Sequence, residues 1–132
     1  MRCALVLVAF AMACGSSGGT CELDDDCGGN VCARNGECLP ASSVRTVHLT
    51  WTIGGQPAST TTCAAMPDLY VLFYAPDPND SFGYAPVPCD AGVFTIDKLP
   101  TRFTSAELGA QGRDDGVEQS ITASGDLAFD LP

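Results

Sequence analysis

The sequence predicts an all-β protein: an antiparallel β-sandwich over residues 44–132, preceded by a small disulfide-rich segment over 21–43. Three observations carry this. VRTVHLTWTI (44–53) alternates apolar and polar residues with period two, the pattern of a strand with one buried face. Further short β-rich runs follow, separated by Gly, Pro, Asn and Asp turn signals. Cys21, Cys27, Cys32 and Cys38 fall in a stretch whose only sizeable apolar residues between the cysteines are Leu23 and Val31, too few to offset the entropy of ordering it.

The chain starts with Arg2, an uncharged apolar run (Cys3–Met12) and small residues (Ala11-Met12-Ala13). A membrane-spanning helix needs roughly 20 apolar residues. This run is shorter and fits the apolar part of a secretory signal over 1–13. Ala11-Met12-Ala13 satisfies the Ala-x-Ala rule of ordinary signal cleavage. Small residues followed directly by Cys14, Gly15 and Ser16 also resemble the lipobox of bacterial lipoproteins, although Ala11 stands where Leu is commonest and Met12 is larger than usual. That resemblance implies a diacylglyceryl thioether on Cys14, cleavage just before it, and two or three acyl chains in the membrane. The lack of an Asp after Cys14 implies the outer membrane, by the family's sorting habit. Cysteine parity favours lipidation. The chain has eight cysteines, and cleavage before Cys14 removes Cys3. Lipidation of Cys14 then leaves six, an even number for an oxidising compartment. GSSGGT (15–20) reads as a flexible tether spanning about 13 Å r.m.s..

In residues 21–38 the spacing C-x5-C-x4-C-x5-C, with no His, argues against zinc and for disulfides. Three pairings are possible, and spacing alone does not choose; we expect Cys21–Cys32 with Cys27–Cys38, an interleaved knot. The segment resembles the EGF-like or Dickkopf-like cysteine motif that follows the lipid site in many bacterial surface lipoproteins. The resemblance implies architecture and no particular function. The acidic run Glu22, Asp24, Asp25, Asp26 lacks the alternating spacing of an EF-hand loop and reads as a solvated loop.

In the main domain, 44–53 is a half-buried strand ended by Gly54-Gly55. Leu69–Ala75 is apolar throughout and reads as a central strand covered on both faces. DPND (77–80) is a loop, and Phe82–Val87, broken by Pro86, reads as an edge strand. Val93–Asp97 alternates, and Arg102–Leu108 reads as a strand over a short helix. Val117–Ala123 and Leu127–Leu131 read as a last hairpin around Ser124-Gly125-Asp126. Cys63 and Cys89 are expected to pair. Residues 92–108 (GVFTIDKLPTRFTSAEL) resemble the prealbumin-like sandwich modules, such as the regulatory domains of carboxypeptidases. That resemblance implies core roles for Phe94, Ile96, Leu99 and Phe103, a turn at Pro100, and scaffolding or binding over catalysis.

Residues 14–132 carry 16 acidic and five basic side chains. Such a balance lacks the basic stripe a nucleic-acid partner needs. His48, the only His, falls on the polar side of its strand, and no G-x-S-x-G elbow is present. No phosphate loop, haem motif or nucleotide fingerprint occurs, so no cofactor is expected. DPND with Asp114-Asp115 is a weak Ca²⁺ candidate, and Tyr70, Tyr74, Phe82 and Tyr84 are candidates for an aromatic sugar platform. The expectation is a non-catalytic lipoprotein of the bacterial envelope, membrane-attached through Cys14, with a structural or binding role and a protein or glycan partner. The rival expectations are a carbohydrate-binding adhesion module, a protease inhibitor and a small hydrolase.

Overall fold

A computed structural model of the chain describes residues 20–132. The signal expected over 1–13, the lipid site at Cys14 and the tether up to residue 19 lie outside the described residues. None of the described helices is long and apolar enough to cross a membrane.

Residues 21–39 fold as a knot. It contains a 3-10 turn (Asp24–Cys27) and two short antiparallel strands, β1 (Val31–Cys32) and β2 (Cys38–Leu39). Disulfides join Cys21 to Cys32 and Cys27 to Cys38, the interleaved pairs expected from the segment. The acidic run is exposed along its length, and two of its carboxylates also accept backbone donors. Asp26 Oδ2 accepts the backbone N–H groups of Glu22 and Leu23, at 3.0 and 2.9 Å. Asp24 Oδ1 accepts the N–H of Cys32 at 2.8 Å. Backbone donors that a core-less segment cannot place in a sheet are thus satisfied by carboxylates.

Residues 44–132 form two packed sheets. In the first, β3 (Val44–Ile53) lies between β7 (Val93–Pro100) and β10 (Asp126–Leu131), and the short β4 (Gln56–Pro57) pairs with its last residues. The second has the order β6 (Ser81–Val87), β5 (Leu69–Tyr74), β8 (Ser105–Ala110), β9 (Val117–Ser120), all antiparallel. Val47, Leu49 and Trp51 of β3 and Leu127, Phe129 and Leu131 of β10 face Leu69, Val71 and Phe73 of β5 and Ala106 and Leu108 of β8 across one core. Burying each large apolar side chain contributes roughly 1.5–3 kcal/mol. Cys63–Cys89 closes the end of the sandwich away from the knot.

Three expectations need correction. Residues 117–123 and 127–131 are not a hairpin. β9 pairs with β8 in the second sheet, while β10 crosses to the first and runs parallel to β3. Ser124-Gly125-Asp126 is the corner between sheets, and the N–H of His48 donates to Gly125 O there at 2.8 Å. The period-two pattern of DLAFDL needs a buried face, and β3 offers an open edge beside one. β5 is central but not doubly covered, because Tyr70, Leu72 and Tyr74 lie half-buried on its outer face. The strand after Leu99-Pro100 starts at Ser105, because Thr101-Arg102 forms the turn and Pro100 still pairs with Val44 as the end of β7.

The four residues assigned core roles pack there, with Ile96, Leu99 and Phe103 buried and Phe94 half-buried against the core. A bulge makes this work. The register of β7 against β3 shifts between Ile96 and Leu99, so Asp97 and Lys98 together oppose Thr46. Without the extra residue Leu99 would point to solvent. Lys98 takes φ 50°, a left-handed conformation unfavourable for a residue with a Cβ. The side chains of both bulge residues reach the knot. Lys98 Nζ donates to Asp24 at 2.8 Å, and Arg34 pairs with Asp97. Arg102, just beyond β7, bridges Glu37 of the knot and Asp80 of the β5–β6 loop, each at 2.6 Å.

Candidate functional site

The outer face of the second sheet carries a cluster of polar side chains away from the knot. Tyr70 and Tyr74 stand two residues either side of Leu72, which pairs in register with Glu107. Side chains at 70 and 74 share one face of β5, and their phenols converge on that carboxylate. Tyr70 Oη donates to Glu107 Oε1 at 2.5 Å and Tyr74 Oη to Oε2 at 2.7 Å. Both phenols are pushed up to about 12, first by the hydrogen bond to Glu107, then by burial and by the charge of that carboxylate. Glu118 sits directly opposite Glu107 and accepts the hydroxyl of Ser105 at 2.5 Å. Like charges in register repel. Here three hydroxyl donors turned onto the two carboxylates offset the repulsion.

Two glycines make room for Tyr70. A Cβ on Gly109 would come within 2.5 Å of its hydroxyl, and one on Gly116 within 2.3 Å of Glu107 Oε1. The sequence alone offers no sign of this cluster beyond the paired tyrosines, since Glu107 and Gly116 become neighbours only through the β5–β8–β9 register.

The four aromatic residues expected as one platform are split. Tyr70 and Tyr74 are on the outer face. Phe82 and Tyr84 pair with Phe73 and Val71 and turn inward, packing edge to face at 5.2 Å and reaching Phe103 and Phe94. The two acidic segments offered for Ca²⁺ are also separated. DPND joins β5 to β6 at the knot end, while Asp114-Asp115 joins β8 to β9 at the opposite end. Asp77 caps the N–H of Asn79 and Asp80 holds Arg102, so neither carboxylate is free in its loop. The sulfurs of Cys21, Cys27 and Cys32 lie close enough together for a metal, but each is consumed in a disulfide.

His48 lies on the outer face of the first sheet, where a ring nitrogen contacts Thr95 Oγ1 at 2.9 Å. Among the described residues no carboxylate is hydrogen-bonded to that ring. The nearby surface between β3 and β10 is a shallow depression of about 310 Å³ lined by Thr50, Thr52, Ala128 and Asp130 among others. Set beside known protein families, curated proteins and solved structures, the chain matches none of them.

Proposed function

We propose that the protein is a lipid-anchored, non-catalytic protein of the bacterial envelope that holds a prealbumin-like sandwich at the membrane surface for a structural or binding role. The observation that carries this is the fate of the cysteines. All six from Cys21 onward are in disulfides, so no described cysteine is left to pair with Cys14. Three disulfides in so small a chain fit an oxidising compartment. A thiol exported there with no partner is an oddity that a thioether at Cys14 removes. Two or three acyl chains suffice for stable attachment, where one is marginal.

The test is an intact mass of the protein taken from its native membrane, beside a Cys14→Ser control. A diacylglyceryl-sized increment on a chain beginning at Cys14, lost in the control, supports the reading. An unmodified chain beginning at Cys14 sinks it.

A second reading, a glycan-binding module, draws on one observation. Tyr70 and Tyr74 form a half-exposed aromatic strip beside Glu107 and Glu118, and carboxylates accept from sugar hydroxyls while rings stack on sugar faces. A glycan array that stays blank for the wild-type protein counts against it; binding lost in Tyr74→Ala counts for it.

A further inference from the structure

The knot and the sandwich have separate buried clusters. One consists of Cys21, Cys27 and Cys32 with Cys38 beside them; the other is the sandwich core. Among the described residues the two clusters share no member, and Ala33, buried beside the contact, belongs to neither. What lies across the contact is charge. Asp24 meets Lys98, Arg34 meets Asp97, and Arg102 holds Glu37 with two hydrogen bonds, at 2.6 and 2.9 Å, while gripping Asp80 on its other edge. Three of the five basic side chains after residue 14 are spent here. One backbone bond crosses beside them, Arg34 N–H to Lys98 O at 3.2 Å. The covalent link is the short 3-10 turn Ala41–Ser43, whose Ser43 O accepts the N–H of Thr101.

We infer that this contact is an ionic latch: closed, it makes knot and sandwich one rigid piece, and high salt or acid opens it and frees the knot to swing about residues 40–43. The paired side chains are 31–48 % exposed, so each pair is individually weak and is screened by salt. The bulge makes the arrangement specific. An extra residue in β7, with Lys98 at positive φ, aims two adjacent charges, Asp97 and Lys98, at knot residues that each carry the opposite sign, Arg34 and Asp24. The groups facing one another are the carboxylates of Asp24, Glu37, Asp80 and Asp97, the cations of Arg34, Lys98 and Arg102, and the phenol of Tyr84 near Arg34. Lys98 holds the Asp24 carboxyl, and Arg34 that of Asp97, below the ordinary 3.8. Closure is therefore complete above the ordinary carboxylate range and fails as pH falls through those lowered values.

Amide hydrogen exchange on the exported protein tests this, whether or not Cys14 carries lipid. The Arg34 N–H bonds across the contact, whereas the neighbouring Ala33 N–H bonds to Glu37 O within the knot. Opening the latch exposes the first and leaves the second protected. Lys98→Gln and Arg102→Gln should each speed Arg34 exchange relative to Ala33 by about fivefold, as should raising NaCl from about 0.1 to 1 M. Amides of β5 report the sandwich and should not move. Arg34 exchange unchanged by salt and by both variants would overturn the latch. So would Arg34 exchange that rises only in step with Ala33 or with β5, since the contact would then open only with unfolding.

Discussion

The indole N–H of Trp51 donates to the backbone carbonyl of Cys89 at 2.7 Å. The core's one tryptophan is thereby tied to the cross-link that closes the far end of the sandwich. Trp51→Phe removes the donor and part of the buried area, leaving the Cys89 carbonyl without this partner. We expect a loss of about 1–3 kcal/mol in urea unfolding. Trp51 is the only Trp, so its emission should also report reduction of Cys63–Cys89 in the wild-type protein.

Removing that cross-link with Cys63→Ala and Cys89→Ala together frees a loop of 26 residues. The chain-entropy model expects a destabilisation of about 3–4 kcal/mol. Urea midpoints of the two proteins measure it. Met66, within that loop, is half-buried against the sandwich core, and a loss under about 1 kcal/mol would mean that such packing already holds the loop.

The tyrosine pair predicts an alkaline limit. Unfolded phenols lose their protons near 10, and Tyr70 and Tyr74 hold theirs to about 12. The native state binds more protons between these values, so stability is intact below pH 10 and falls as pH rises from 10 to 12. Glu107→Gln should bring both titrations down, read as phenolate absorbance. Gly116→Ala should do the same by displacing Glu107.

Asp130 predicts an acid-sensitive turn. Its carboxylate accepts the N–H of Gly55 and the hydroxyl of Thr52, both at 2.7 Å, and these bonds hold its carboxyl below the usual range. The brace is present above pH 3.8 and is lost as pH falls through the lowered value. Exchange of the Gly55 amide should accelerate there, and Asp130→Asn should weaken the pH dependence.

Much of the fold was legible in the sequence because its signals are local. Period two marked β3 and β7, the turn at Ser124-Gly125-Asp126 marked the start of β10, proline marked the edge strand β6, and the two groups of cysteines separated knot from sandwich. The misreadings are non-local. Nothing within residues 117–131 says that β9 and β10 belong to different sheets; the choice depends on which edge of β3 is open. Leu69–Ala75 looked doubly buried because tyrosine counts as apolar in a run, whereas Tyr70 and Tyr74 use their hydroxyls to cover the outer face with Glu107. The charge pairs between knot and bulge were hidden for the same reason. Asp24 and Lys98 are 74 residues apart in the chain, and each looks like an ordinary surface charge.

The parallel pairing of β3 and β10 has a mechanical consequence. β3 leaves the knot end, and β10 runs the same way to finish beside Ile53, so Thr20 and Pro132 lie toward opposite poles of the sandwich. A pull between those two residues draws β3 and β10 past each other along their length. The six register pairs from His48–Asp126 to Ile53–Leu131 then share the force at once instead of parting singly like a zipper. Loaded in that direction, the first sheet shears along its strands and does not peel.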